Sequence, residues 1–232
     1  EKAVKLVEQG RAGGIVTNPI NKEALYNMGF KFPGHTEYLA HICNNDIEPV
    51  MMLASDRLKV VPLTRHLSLK DAIETITTQS IIDTAIILNR CLKKYFNVGS
   101  PRIAITGLNP HAGEGGSMGT EEILTIKPAI DELIKLNILA SGPYSADTLF
   151  HNKARDKYDA AITMYHDQAL IPIKTIDFET AVNITLGLPF VRTSPDHGTA
   201  LDIANLGVAE PNSLISALKL ADQMIKSSAV SN

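Results

Sequence analysis

Three histidines, His66, His111 and His166, each lie at or just after the end of a short apolar run. Neutral imidazole is a ligand for zinc, cobalt, nickel or manganese, and a set of three would leave open positions for substrate oxygens. Spacings this long are unlike a local His-Glu-x-x-His site, so pattern alone favours hydrogen-bonded structural histidines. A second candidate is the segment Gly107-Leu-Asn-Pro-His111-Ala-Gly-Glu-Gly-Gly116-Ser-Met-Gly-Thr-Glu-Glu122. Gly113, Gly115, Gly116 and Gly119 remove the Cβ barrier to unusual dihedrals, and N–H groups at the next helix start can receive an anion or a polar cofactor. The segment lacks the Gly-Lys-Ser/Thr ending of a P-loop and is not the Gly-x-Gly-x-x-Gly fingerprint at a first strand; composition alone also fits a ligand-free surface loop.

Lys174 and Arg192 could meet a phosphate or carboxylate, against the ordinary alternative of solvated surface charge. Asp147, within Ala146-Asp-Thr148, and Asp167, directly after His166, could orient a ligand imidazole or shuttle a proton, and could equally cap helices. The stretch Asp196-His197-Gly198-Thr199-Ala200 sets small residues before a helix start, as a loop admitting a nucleotide would, or as a plain cap at Thr199 would.

A scaffold must hold these groups. Short β-branched or apolar runs, each followed by a turn signal and a helical period, predict an α/β protein. Strands are expected at residues 13–17, 50–54, 58–63, 102–106, 160–165 and 182–186. Asn18 is expected to cap a helix that has Pro19 at its first position and Gly29 at its stop. Further helices are expected over 1–9, 68–77 behind a serine cap, 80–95, 121–136 behind a threonine cap, and 212–227. The clusters of Gly, Pro, Asn and His fall between these elements, where a rigid scaffold presents its functional groups.

With 232 residues, 44% hydrophobic and 20% charged, the chain has the composition of a globular protein. A formal charge of -3 gives no basic field for nucleic acid, and no apolar run approaches the roughly 20 residues of a membrane span. Two cysteines, Cys43 and Cys91, without paired spacing suggest neither a zinc knuckle nor a disulfide framework; with no secretory apolar region, the cytoplasm is the expected compartment. The chain opens at Glu1 within a helical period, so an upstream segment is expected to be missing.

The segment from Gly107 to Glu122 resembles the Asn-Pro-His-Ala-Gly-Glu-Gly-Gly signature carried by the 4-hydroxythreonine-4-phosphate dehydrogenase family in a strand-to-helix loop. The resemblance extends through Gly34-His-Thr-Glu37, Thr64-Arg-His66, Ala146-Asp-Thr148, Tyr165-His-Asp-Gln168, Val182-Asn-Ile-Thr-Leu-Gly-Leu-Pro-Phe-Val-Arg-Thr193 and Asp196-His-Gly-Thr-Ala200, in one order along essentially the whole chain. The stretch from Asp196 to Asn205 also resembles the part of isocitrate and isopropylmalate dehydrogenases that binds NAD or NADP. An N-terminal Gly-Asp-Pro-Ala-Gly-Ile-Gly-Pro-Glu type motif of the family does not occur in this sequence.

The resemblance implies an isocitrate/isopropylmalate-dehydrogenase-like two-domain α/β/α sandwich. Residues 1–30 and 205–232 would be the remainder of an incomplete first domain, and 31–204 the substrate, metal and dimerisation domain. It implies that His66, His111 and His166 hold one divalent metal, such as zinc, cobalt, magnesium or manganese, with His166 coming from the other subunit of a homodimer. His35, Thr36, Lys174, Asn183 and Arg192 would contact substrate, and His197, Gly198, Thr199 and Ala200 would bind NAD or NADP. Lys174, Asp147 and Asp167 would have catalytic roles. The implied reaction is oxidation of 4-phosphooxy-L-threonine with decarboxylation to 3-amino-2-oxopropyl phosphate, in vitamin B6 biosynthesis. The alternatives are a paralogue oxidising a non-phosphorylated hydroxy acid or dihydrodiol carboxylate, and a truncated non-catalytic binding remnant.

Overall fold

The computed structural model describes residues 1–43 and 48–230. The elements run α1 (Lys2–Glu8), β1 (Gly14–Val16), α2 (Lys22–Asn27), α3 (His35–Ile42), β2 (Val50–Ala54), β3 (Lys59–Pro62), α4 (Leu69–Thr75), α5 (Thr78–Phe96), β4 (Arg102–Thr106), α6 (Lys127–Lys135), β5 (Leu139–Tyr144), α7 (Ala146–Leu149), α8 (Asn152–Arg155), β6 (Ala160–Thr163), α9 (His166–Asp177), β7 (Val182–Leu186), β8 (Val191–Pro195) and α10 (Asn212–Val230). They form two compact units, Glu1–Met51 with Glu179–Asn232, and Met52–Phe178. These units follow packing, and their boundaries at 51/52 and 178/179 differ in position from the functional partition expected at 30/31 and 204/205.

In the second unit the strand order is β2-β3-β6-β4-β5, antiparallel between β2 and β3 and parallel thereafter. Every residue of β6 is fully buried, as are Val60 and Val61 of β3. Only a sheet covered on both faces buries consecutive strand residues in this way. Helix α5 turns Ile81, Ala85, Leu88 and Leu92 inward at helical spacing, and α9 packs on β3 and β6. Thr77 caps α5: its hydroxyl accepts the Ser80 N–H while the Ser80 hydroxyl accepts the Thr77 N–H, so the helix starts earlier than the expected residue 80.

In the first unit β1 runs parallel to β8, and β7 antiparallel to it. Val4 of α1 and Leu39 and Ala40 of α3 pack with Ile15, Leu188 and Phe190. Because strand residues alternate faces, Thr193 turns the other way from Arg192, and its hydroxyl donates to the Ala217 carbonyl of α10 at 2.9 Å. Two further helix starts, one in each unit, differ from expectation. Asn21, not Asn18, caps α2, its Oδ1 accepting the Ala24 N–H at 2.8 Å, with Glu23 in the favourable first turn. The helix expected behind Thr120 opens as a π turn, Glu122–Ile126, that feeds α6, because the Glu122 carboxylate is drawn back into the preceding loop.

Candidate functional site

Strands β3, β6 and β4 are parallel neighbours, so their carboxyl ends share one edge of the second unit's sheet, the usual place for ligand-binding loops in α/β proteins. His66, His111 and His166 follow those three ends. The loop exits are tied together by side chains. Thr64 Oγ1 donates to the Met164 carbonyl at 2.9 Å. Gln168 Nε2 donates to the Gly107 carbonyl at 3.0 Å, while its Oε1 accepts from the Met164 N–H at 3.0 Å and Thr106 Oγ1 at 3.1 Å.

The rings of His66 and His166 lie 6.1 Å apart, centre to centre, and with Thr64, Leu67, Tyr165 and Asp167 they line a cavity of about 200 Å³. Two imidazoles sharing one ion at about 2.0–2.1 Å have ring centres on the order of 5–6 Å apart, and this pair stands slightly wider than that. Asp167 Oδ1 lies 2.7 Å from His166 Nδ1, the carboxylate–histidine pairing that fixes a ligand imidazole through its other nitrogen. His111 is not gathered with them: among the described residues no three His, Cys, Asp or Glu side chains stand close enough to hold an ion.

The backbone around His111 is unusual. Residues 111–115 all have positive φ, 52°, 50°, 79°, 43° and 65° in turn. Three of them, His111, Ala112 and Glu114, carry a Cβ, at roughly 1–2 kcal/mol each in this conformation. Something must offset about 3–6 kcal/mol. Glu122, 3% exposed, supplies the contacts: Oε1 accepts the N–H of Leu108 at 2.8 Å and of Asn109 at 2.7 Å, and Oε2 accepts Asn109 Nδ2 at 3.0 Å. Helix α7, which carries the exposed Asp147, packs on this turn, and Ser145 Oγ donates to Asp147 Oδ1 at 2.5 Å. Lys174 lies farther along α9, its Nζ 5.8 Å above the exposed Phe178 ring.

The first unit holds a different polar cluster. Arg192 is 4% exposed; its Nη1 donates to Thr185 Oγ1 at 2.9 Å and its Nη2 to Thr17 Oγ1 at 2.7 Å. Thr36 Oγ1 lies 3.4 Å from Thr185 Oγ1. The β7–β8 register sets Asn183 opposite Ser194 and hence Thr185 opposite Arg192, and Asn183 shares their face by strand alternation. Asn183 Oδ1 and Arg192 Nε are buried without hydrogen bonds, and buried polar atoms left unpaired call for a reason. Burial pulls the Arg192 guanidinium down to about 10, with Glu37 opposing the fall. His35 and Thr36 open α3 behind Gly34, which caps the helix without a side-chain bond. A desolvated cation beside threonine hydroxyls and a helix start is suited to an anion.

His35, Thr36 and Arg192 are thus brought together with Thr17, Thr185 and Glu37, which were not singled out from sequence; Thr185 and Glu37 stood within the quoted motifs. Glu122, Gln168 and Thr64 were passed over in the same way. Residues His197, Gly198, Thr199 and Ala200 form an exposed loop with His197 Nδ1 at 2.9 Å from the Gly198 carbonyl. A Cβ added at Gly198 would meet nothing within 4 Å, and Ala200 has φ 45°.

Burial, and secondarily Arg192, lowers the His35 pKa below its ordinary 6.5. The unfolded chain therefore takes up this proton first as pH falls. His35's contribution to stability is complete above about pH 6.5 and is lost as pH drops toward the lowered folded value. Imidazole NMR is expected to show a His35 midpoint below 6.5 that rises only part of the way in Arg192→Met, since burial is the larger cause. A midpoint at or above the ordinary value would contradict the buried, cation-facing placement.

Residues 1–221 match the family model described as pyridoxal phosphate biosynthetic protein PdxA. A curated relative from Bradyrhizobium diazoefficiens, named 4-hydroxythreonine-4-phosphate dehydrogenase, is 57% identical over 226 residues, covering 96% of this chain and 66% of the relative. The crystal structure of a 4-hydroxythreonine-4-phosphate dehydrogenase from Klebsiella pneumoniae superposes with a TM-score of 0.88 at 41% identity, covering 97% of this chain and 68% of that one. A beta-decarboxylating dehydrogenase from Thermococcus kodakarensis shares the fold at a TM-score of 0.50 and 14% identity, over 89% of this chain and 69% of that one. This agrees with the expected isocitrate/isopropylmalate-dehydrogenase-like class. The chain spans about two thirds of the length of the curated relatives it matches. With a match that covers residues 1–221, the chain belongs to the pyridoxal phosphate biosynthetic protein PdxA family.

Proposed function

We propose that the protein oxidises 4-phosphooxy-L-threonine with NAD or NADP and releases carbon dioxide to leave 3-amino-2-oxopropyl phosphate, a step in vitamin B6 biosynthesis. The buried Arg192 cluster carries this reading: a guanidinium held away from water beside an unbonded Asn183 oxygen is an arrangement that an anionic, hydroxyl- or amine-bearing ligand would complete. Membership of the family gives it context.

In this reading Arg192, His35, Thr36 and Asn183 bind and orient the substrate's polar ends, and Lys174 supplies a second cation. The lowered His35 is neutral near pH 7, so it serves as a directional hydrogen-bonding group rather than a charge. His66, His111 and His166 would hold zinc, cobalt, magnesium or manganese, and such an ion, when bound, supplies Lewis-acid polarisation of substrate oxygens. Asp167 keeps the proton on His166 Nδ1, leaving Nε2 as the donor atom. Lys174 Nζ and the Asp147 carboxylate are the groups proposed to move protons. NAD or NADP would be taken at His197, Gly198, Thr199 and Ala200. We further propose a homodimer whose third histidine, His166, crosses from the partner, the functional partition at residues 30 and 204, and a cytoplasmic setting. Among the described residues no helix is long and apolar enough to cross a membrane.

The test is an assay of reduced-nicotinamide formation with 4-phosphooxy-L-threonine, its non-phosphorylated counterpart and a dihydrodiol carboxylate. Each is run on this chain and on the chain joined to the amino-terminal segment of a relative. A preference for the phosphorylated substrate of at least about 30-fold in kcat/KM is expected, since losing a charged partner of a buried cation costs about 2 kcal/mol or more. Equal rates with the non-phosphorylated acid would shift the assignment to the paralogue reading. No turnover of any substrate by either protein would leave only a binding role.

A further inference from the structure

We propose that Glu122 is the positioning residue that presents His111, acting through the left-handed turn and not by contact with any ligand. This inference rests on the reading of His111 as a metal ligand and adds a residue to it. The carboxylate is buried, hydrogen-bonds the chain just before His111 and lies close against the backbone just after it. Upstream, Oε1 accepts the Leu108 and Asn109 N–H groups at 2.8 and 2.7 Å, and Oε2 accepts the Asn109 amide at 3.0 Å. Downstream, the turn closes directly on the same carboxylate, since a Cβ added at Gly113 would lie 2.6 Å from Oε2. Gly107, at the exit of β4, is equally tight: an added Cβ would lie 2.9 Å from Oε1 and 2.8 Å from Ala112 Cα.

The intervening backbone could not hold this shape unaided, because six successive positive-φ residues, 111–116, three of them bearing side chains, are not a conformation the chain adopts by preference. The π turn that begins at Glu122 belongs to the same device. It departs from α-helical winding at the residue whose side chain is committed to the loop, in keeping with the frequent placement of such turns at functional sites. Asn109 reinforces the clamp by donating its amide to both Glu121 Oε2, at 2.7 Å, and Glu122 Oε2.

The probe is cobalt(II), titrated into the purified intact protein and followed by its visible absorption, in wild type, Glu122→Gln, Glu122→Asp and His111→Ala. Gln keeps the shape but sets an amide against the Asn109 amide; Asp keeps the charge but withdraws it from the two backbone N–H groups. Each Glu122 variant is expected to bind cobalt about 10-fold to 100-fold more weakly, the usual range for partners that orient a ligand, with an altered spectrum and a loss no greater than that of His111→Ala. Cooperative thermal unfolding separates misplacement of His111 from global loss of structure, and Glu122→Asp decides the matter if Glu122→Gln does not fold. Wild-type cobalt affinity and spectrum in the folded Glu122 variants, with weakened binding in His111→Ala, would overturn the positioning role alone. Wild-type binding in His111→Ala as well would overturn the metal reading and this inference with it.

Discussion

Replacing Arg192 by methionine is expected to raise the apparent constant for the phosphorylated substrate by about 30-fold to several thousand-fold, the span of 2 to 5 kcal/mol for losing a buried charged partner. The same change is expected to leave the fold as stable as before. Those two outcomes are rarely paired, and the reason lies in the cost of the native residue. Arg192 is buried, its guanidinium is pulled down to about 10 chiefly by desolvation, and its Nε makes no hydrogen bond. A depression from 12.5 to about 10 corresponds to roughly 3 kcal/mol set against the charged form. Methionine fills similar space without that penalty, and what is lost are two bonds to threonine hydroxyls, at about 1 kcal/mol each. Replacement of a buried charge by an apolar side chain is often neutral or stabilising. Unfolding in urea should therefore show a loss of no more than about 1 kcal/mol, with NAD binding unchanged. A large loss of stability with unaltered substrate affinity would make Arg192 a structural residue and remove the main support for a phosphorylated substrate.

The same energetics explain what the sequence disclosed. Strands with uniform apolar character, such as β3, β4 and β6, were legible, because burial on both faces leaves a continuous run. Strand β8 was not, since Val191–Pro195 reads as polar although every residue in it is buried; its Arg192 and Thr193 are inside for hydrogen bonding and not for hydrophobicity. Strand β5 was hidden by Gly142 and Pro143, and α9 by Pro172, residues that local propensity assigns to turns. The π turn at Glu122 had no local signal at all, because it is set by a carboxylate reaching back across the preceding loop. Of the site, motif likeness named the ligating and anchoring candidates. It was silent on the residues that hold them, Thr64, Glu122 and Gln168 in one unit and Thr17 and Thr185 in the other, because their contacts join positions far apart in the chain.

Complementation between two inactive chains is expected to restore roughly half the activity of the intact dimer in one pairing and none in another, and the identity of the active pairing tells which histidine crosses the interface. Consider first a site built from His66 and His111 of one chain and His166 of the partner subunit, as proposed above. A heterodimer of His66→Ala with His166→Ala then gathers both defects in one site and leaves the other whole. The geometry gives the alternative equal definition: His66 and His166 already lie 6.1 Å apart within one chain, and His111 is the member not gathered with them. If that pair serves as a unit and the partner supplies its histidine 111, both sites of the first heterodimer are damaged. Activity would then return when His66→Ala is combined with His111→Ala. Each homodimeric variant is expected to be without activity, because loss of one of three imidazoles leaves too few protein ligands to keep the ion. Purified heterodimers, verified by differential tags and assayed with added metal, therefore give a two-way reading. Recovery in the first pairing supports crossing by His166, recovery in the second supports crossing by His111, and no recovery in either would show that no histidine is shared and that each chain must complete its own set.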